Sequence, residues 1–274
     1  MFKIIIMALL IFIGMVGYDS ITDKTQPTTP VQQEQQKISK HEKSAAMALF
    51  TSLLPPKEEW PSPVHKFYLA FNMDEVIDPI RQNQNWTSLD AMSRDIPQAL
   101  IAIEDHAFYN HGAIAVEGIL RAALANINAG EVVQGGSTLT QQFVKNVFLS
   151  HEQSMERKIE EAVLSLMLED NYSKDEILEL YLNTTYFGAG STGIKQASKT
   201  YFGKAPSALT LAEAAVIASL PYAPTSLNPL ENPEGCKKRQ LLVLAAMHKY
   251  GMINQGQLAE AKAEKIRLTN GTVM

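Results

Sequence analysis

A chain of 274 residues, at roughly 100 to 200 per domain, predicts one domain or one domain with a small lobe, and excludes a long multidomain machine. It is 46% hydrophobic and 19% charged, enough apolar material to bury a core, which excludes a disordered protein. Its 24 Lys and Arg against 29 Asp and Glu leave a net charge of −5, so no global basic field advertises nucleic acid, and the single cysteine, Cys236, excludes an intramolecular disulfide or a Cys-rich zinc site.

Residues 4 to 18 (IIIMALLIFIGMVGY) run without a charge. At about 1.5 Å per residue such a helix is roughly 22 Å long, short of a hydrocarbon core of roughly 30 Å. Length favours a signal h-region, but no clear A-x-A cleavage site follows and one Lys precedes the run, so a retained anchor and a cleaved signal both stand. Either one places the body of the protein outside the cytoplasm. Residues 19 to 44 are polar, without apolar periodicity, and read as a disordered tether. The domain proper is expected over residues 45 to 274; it opens with the apolar stretch AAMALFTSLL at 45 to 54, suited to packing or to a membrane interface.

Phe67, Leu69 and Phe71 alternate as in a strand, and little else does. Capping boxes at Asp95/Gln98, Ser173/Glu176 and Thr210/Glu213, together with an Asn232-Pro233 start and Gly130 and Gly251 stops, predict helices instead. These cover roughly 96–104, 114–128, 138–149, 154–169, 174–183, 194–201, 210–220 and 233–250, with one more at the C-terminus. The GAGSTG of 188 to 193 has the form of a dinucleotide fingerprint but follows a helix where that site needs a strand, so its glycines are read as a turn. His106 and His111 lack helical metal-pair spacing.

Three stretches carry chemistry. Glu104 and Asp105 end an apolar-faced helix beside Phe108 and Tyr109. Two adjacent carboxylates at the negative end of a helix dipole, near apolar rings, are expected to titrate high, as a general acid or base must; a solvated helix end is the plain alternative. In GGSTLTQQFVKN, 135 to 146, two glycines then Ser137 and Thr138 at a helix start offer N–H groups and hydroxyls to an anionic oxygen, with Gln141 and Lys145 on one face. The helix from 154 shows a Met155, Ile159, Val163 and Leu166 stripe with Arg157 and Glu161 nearly opposite as an i, i+4 pair. Leu164 and Leu168 continue the Arg157/Glu161 face, so this pair is expected where a solvated face meets a buried one, as in a cleft wall.

The order EDHAFYNHG, GGSTLTQQFVKN, RKIEE (157 to 161), KDEILELYLNTTYFG (174 to 188) and KRQLLVLAAM (238 to 247) resembles the five-motif pattern of the family 51 peptidoglycan glycosyltransferases over residues 85 to 250. With no transpeptidase segment following, it is similar to the monofunctional members. The resemblance implies a mainly α, lysozyme-like bilobal domain with a small membrane-associated jaw, and polymerisation of lipid II into glycan strands with inversion and release of undecaprenyl pyrophosphate. It implies Glu104 as the base that deprotonates the acceptor 4-hydroxyl, Glu161 as the second carboxylate, and Lys145, Arg157 and Gln141 as pyrophosphate contacts. Asp105, Ser137, Thr138 and Asn146 join them as substrate-binding positions. A divalent cation, Mg or Mn, is implied beside the pyrophosphate, with no organic cofactor. The implied partners are lipid II, the nascent strand, the membrane and other cell-wall synthesis proteins, at the outer side of a bacterial inner membrane.

The pattern is not kept throughout. His106 and Gln153 stand where the family usually has Arg, Thr192 where it has Tyr, and Gln240 where it has a second basic residue. Lost positive charge near the donor keeps a second reading open, a catalytically weak lipid II or glycan binder that regulates another synthase. A lysozyme-like hydrolase using Glu104 as acid would have no use for GGSTLTQQFVKN or the Lys145/Arg157 pair.

Overall fold

The computed structural model describes residues 68–69, 72–130, 135–149 and 155–274. The apolar segment, the tether, the 45–54 stretch and Gln153 lie outside the described residues. The chain divides into two units, Met1–Val76 and Ile77–Met274. In the first, Tyr68 and Leu69 are helical and the Tyr68 hydroxyl donates to Glu75. The expected strand is therefore overturned at Leu69: alternation over so short a run does not outweigh the local i→i+4 bonding, visible as Asn72 N–H reaching Tyr68 O at 3.1 Å.

Ten helices follow among the described residues: α1 Asp74–Arg81, α2 Asp95–Glu104, α3 Val116–Ala129, α4 Leu139–Phe148, α5 Met155–Asn171, α6 Lys174–Thr184, α7 Ile194–Phe202, α8 Leu211–Ser219, α9 Pro233–Lys249 and α10 Gln255–Ala263. The domain is mainly α-helical, and its extended pairings among the described residues are two isolated bridges, Tyr186 with Thr192 and Arg267 with Val273.

Caps set most boundaries. The boxes at Ser173/Glu176 and Thr210/Glu213 form with both reciprocal bonds, and Asn232 accepts from Gly235 N–H with Pro233 at the first helical position. Two further boxes, Thr138/Gln141 and Asn254/Gln257, start α4 and α10. The expected box at Asp95/Gln98 does not form. Arg94 is already helical (φ −59°, ψ −24°), which puts Asp95 inside the helix, and Gln98 N–H bonds Arg94 O instead.

α8 is buried along its whole length, from Ala212 to Ser219, and packs against α2 and α9. Four alanines on it let neighbouring backbones approach closely, and its one charged side chain, Glu213, is paired with Lys204 and accepts the Thr210 N–H of the cap. α4 packs against α5 and α6, so the C-terminal end of α2 and the N-terminal half of α4 are both held by buried helices.

The GAGSTG segment is a turn. Gly188 has φ +86°, and a Cβ there would lie 2.3 Å from Pro224 O and 3.0 Å from the Tyr201 hydroxyl, whereas Gly190 (φ +70°) has open space around it. Gly190→Ala is expected to cost about 1–2 kcal/mol from backbone strain alone. Gly188→Ala adds a backbone clash and is expected to cost about 3 kcal/mol or more. Denaturant melts of the two variants check this: equal losses would mean that the Pro224 contact yields freely.

Candidate active site

Glu104 is the last residue of α2 and Asp105 its C-cap. Both line a cleft of about 400 Å³ together with His106, Arg121, Gly135 to Thr138, and Tyr250. Burial pushes the Glu104 carboxyl above the usual carboxylate range, and Asp105 beside it adds to the rise. A hydrogen bond from Gln142 and the charges of Arg239 and Lys145 oppose it. Gln142 Nε2 donates to Glu104 Oε2 at 3.1 Å, and the Tyr181 hydroxyl donates to Gln142 Oε1 at 3.0 Å.

Asp105 ties the cleft loop to α4. Its Oδ2 accepts the Leu139 N–H at 3.0 Å, at the first turn of that helix, and its Oδ1 lies 2.7 Å from His111 Nε2. The other ring nitrogen of His111 faces Gly112 O at 2.6 Å. With an acceptor at each nitrogen the ring is best satisfied as imidazolium, and the Asp105 bond is the main cause that raises its pKa above the ordinary histidine value. Thr138 donates from Oγ1 to Ala113 O at 2.7 Å while capping α4, so its hydroxyl braces the cleft floor.

A second carboxylate is buried on α5. Glu161 is 2% exposed, its Oε1 accepting from Lys158 Nζ and, at 3.2 Å, from Gln141 Nε2. Lys158 also reaches Ser137 Oγ at 3.1 Å. Thus Ser137, Gln141, Glu161 and Lys158 form one connected group, and Glu104, Gln142 and Tyr181 another, joined through adjacent residues of α4. Arg157 is half-buried in the first turn of α5, and Lys145 and Asn146 are exposed near the end of α4.

Three expectations change. Gln141 does not share an exposed polar face with Lys145: it is 3% exposed, its Oε1 accepting the Thr138 N–H at 3.1 Å and its Nε2 donating to Glu161. The α5 stripe is rotated, since Ile159 and Leu166 are 60% and 42% exposed while Glu161, Leu164 and Leu168 are buried. The face carrying Glu161 is buried, with Lys158 neutralising the carboxylate and Gln141 hydrogen-bonding it. Gln240 is 0% exposed and donates to Ala212 O at 2.8 Å, so this substitution sits in the α8–α9 core and removes no charge from the cleft surface.

His106 stacks on Tyr250, ring centroids 4.1 Å apart. Burial, with Arg121 near it, holds its imidazole below the ordinary histidine range, so at neutral pH this position carries no cation. Thr192 is exposed and pairs with Tyr186 across the glycine turn. Sequence reasoning gave no role to Gln142, Tyr181, Arg239 or Arg121. The first three lie within the quoted motifs; Arg121 lies in none, and only folding brings α3 to the cleft.

Residues 73–248 match the transglycosylase family. The chain belongs to that family. A Cupriavidus necator protein named as a transglycosylase is 40% identical over 194 residues, 71% of this chain and 84% of that one. Penicillin-binding protein 1A of Neisseria flavescens is 44% identical over 185 residues, and that of Aquifex aeolicus 44% identical over 180 residues. The match covers 68% and 66% of this chain respectively, but only 23% and 25% of those longer relatives, so the chain spans about a quarter of their length. The crystal structure of penicillin-binding protein 1A from Haemophilus influenzae aligns with 48% of this chain and 16% of that one, at 33% identity and a TM-score of 0.34. The match over residues 73–248 makes the chain an enzyme of the transglycosylase family.

Proposed function

We propose that this domain polymerises lipid II, joining disaccharide units with inversion at the donor and releasing undecaprenyl pyrophosphate. The observation that carries the reading is Glu104: a carboxyl raised by burial, open to a cleft, held by Gln142, with Lys145 and Arg239 near enough to act on its charge. Such a group takes up the proton of an attacking acceptor 4-hydroxyl as that oxygen bonds to the donor C1. Charge then accumulates on the departing pyrophosphate, and fixed cations stabilise it more in the transition state than in the ground state. Lys145, Arg157 and Lys158 are the cations we assign to that work, with Glu161 keeping Lys158 in place. Ser137 and Asn146 are assigned to the substrate, and Thr138, whose buried hydroxyl caps α4 and donates to Ala113 O, joins Asp105 in bracing the cleft loop against α4.

Among the described residues no group of three His, Cys, Asp or Glu side chains could hold a metal ion. A Mg or Mn ion beside the pyrophosphate would need only one or two carboxylates besides the phosphate oxygens, so it stays part of this proposal, and no step is routed through it. The bilobal, lysozyme-like form with a membrane-associated jaw belongs to the same proposal. It is supported by α3, on which Val116, Ile119, Leu120 and Ile127 are 43% to 76% exposed. Among the described residues no helix is long and apolar enough to cross a membrane. We assign the domain to the outer face of the bacterial inner membrane, where its substrate is held, with lipid II, the growing strand and other cell-wall synthesis proteins as partners.

Incubation of the purified protein with lipid II and gel separation of the products tests the reading: a ladder of glycan strands is expected, and lipid II bound but unpolymerised would favour the regulatory alternative. Lys145→Ala and Arg157→Ala are each expected to lower kcat/KM about 10-fold or more. Lys262→Ala, exposed in the last turn of α10, is expected to leave it unchanged. Equal losses in all three would remove the donor assignment.

A further inference from the structure

Tyr181 lies in the interior of the domain, 1% exposed, where a phenol hydroxyl is costly unless it is hydrogen-bonded. It donates to Gln142 Oε1 at 3.0 Å. An amide whose oxygen faces the phenol turns its NH₂ the other way, and Gln142 Nε2 donates to Glu104 Oε2 at 3.1 Å. The flipped amide would set its carbonyl oxygen against the Glu104 carboxylate, acceptor against acceptor. The phenol donor and the carboxylate acceptor therefore select the same rotamer from opposite ends.

We propose that Tyr181 is a positioning residue, whose hydroxyl locks the Gln142 amide with its NH₂ toward Glu104 and so keeps that carboxylate aimed into the cleft. The inference rests on the reading of Glu104 as the base. Tyr181 itself is not open to the cleft: its side chain is buried in the α4–α6 packing and reaches the reaction only through Gln142. The other charged groups acting on Glu104 are Arg239 of α9, Lys145 of α4 and the neighbouring Asp105. Arg239 is over the Tyr222 ring, 4.2 Å from its centroid, and Lys145 is exposed. Tyr181→Phe alters the amide and leaves these charges in place; besides Gln142, the phenol faces the uncharged Thr185 side chain.

The test uses the full chain and two readouts. In the first, independent of turnover, the Glu104 carboxyl is titrated by NMR in the wild type, Tyr181→Phe, Gln142→Met and the double variant. The Gln142 bond opposes the rise in the Glu104 pKa, so loosening the amide is expected to move its titration upward. Gln142→Met, which leaves the phenol in place, is expected to move it at least as far, and Tyr181→Phe is expected to add nothing in that background. In the second readout, the acid limb of lipid II polymerisation moves to higher pH in Tyr181→Phe, with a several-fold loss near neutrality that is recovered at higher pH. A merely structural phenol would lower the rate by one factor at every pH and in both backgrounds, with the Glu104 titration unmoved, and that result overturns the proposal. An unmoved titration in Gln142→Met overturns it as well, whatever the folding of Tyr181→Phe. A shifted titration in a protein that makes no glycan would remove the base assignment and leave the positioning role standing.

Discussion

Glu104→Gln is expected to lower glycan synthesis by about 10²- to 10⁴-fold, the usual contribution of a general base, without loss of the fold. Gln keeps the side-chain volume and still accepts from Gln142, but it cannot take the acceptor's proton. The pH dependence has a definite sign. Because burial raises the Glu104 carboxyl above its ordinary value, the active, ionised form is populated only above that raised value, so the wild-type rate should climb through a limb displaced to higher pH than a free carboxylate gives. Stability runs the other way. A folded-state pKa above the unfolded one contributes stability that is complete below the unfolded value and is lost as pH rises through the folded value. At neutral pH the ionised Glu104 therefore costs stability, and Glu104→Gln should melt no lower than the wild type. Near wild-type turnover in a well-folded Glu104→Gln protein would sink the assignment.

The second large effect is at Glu161. This carboxylate is 2% exposed and accepts from Lys158 and Gln141, so removing it leaves the buried Gln141 amide without its acceptor and frees Lys158 from the cleft wall. Glu161→Ala is expected to destabilise the domain by about 1–3 kcal/mol, the cost of an unsatisfied buried donor with a small cavity added. Activity should fall further than stability explains, because Lys158 then loses the partner that holds it beside Ser137. Glu161→Gln separates the two effects: it fills the space and still accepts from Lys158, but without the charge, so it is expected to recover much of the stability and little of the rate. Melting curves and lipid II turnover on the same preparations decide it. A Glu161→Ala protein with unchanged turnover would show that Lys158 needs no anchor.

Helix boundaries were legible because caps are local. In the Ser173/Glu176 and Thr210/Glu213 boxes the donor and acceptor lie three residues apart, so the bond is written in the chain itself. The Asp95/Gln98 pair has the same spacing and fails because the turn at Ser93 and Arg94 starts the helix one residue early. The five motifs likewise sufficed for the family, and the Glu104-Asp105 pair at a helix end was enough to expect a raised carboxyl.

What the sequence determined by itself, then, is the helical content, the motif order and the residue types available for chemistry. The tertiary structure decided which of those residues meet. Gln142 reaches Glu104 across 38 residues of chain and Tyr181 reaches Gln142 across 39, distances over which no periodicity carries information. The rotation of α5 was misread for a related reason. Hydropathy puts Ile159 and Leu166 inside and Glu161 at the edge between a solvated and a buried face, but a buried carboxylate is tolerable once Lys158 and Gln141 satisfy it, and Gln141 arrives on a different helix. Gln240 is the same case in reverse: its place in a row of basic residues suggested the cleft, and the close packing of α8 on α9 drew it into the core, where its amide donates a hydrogen bond to Ala212 O.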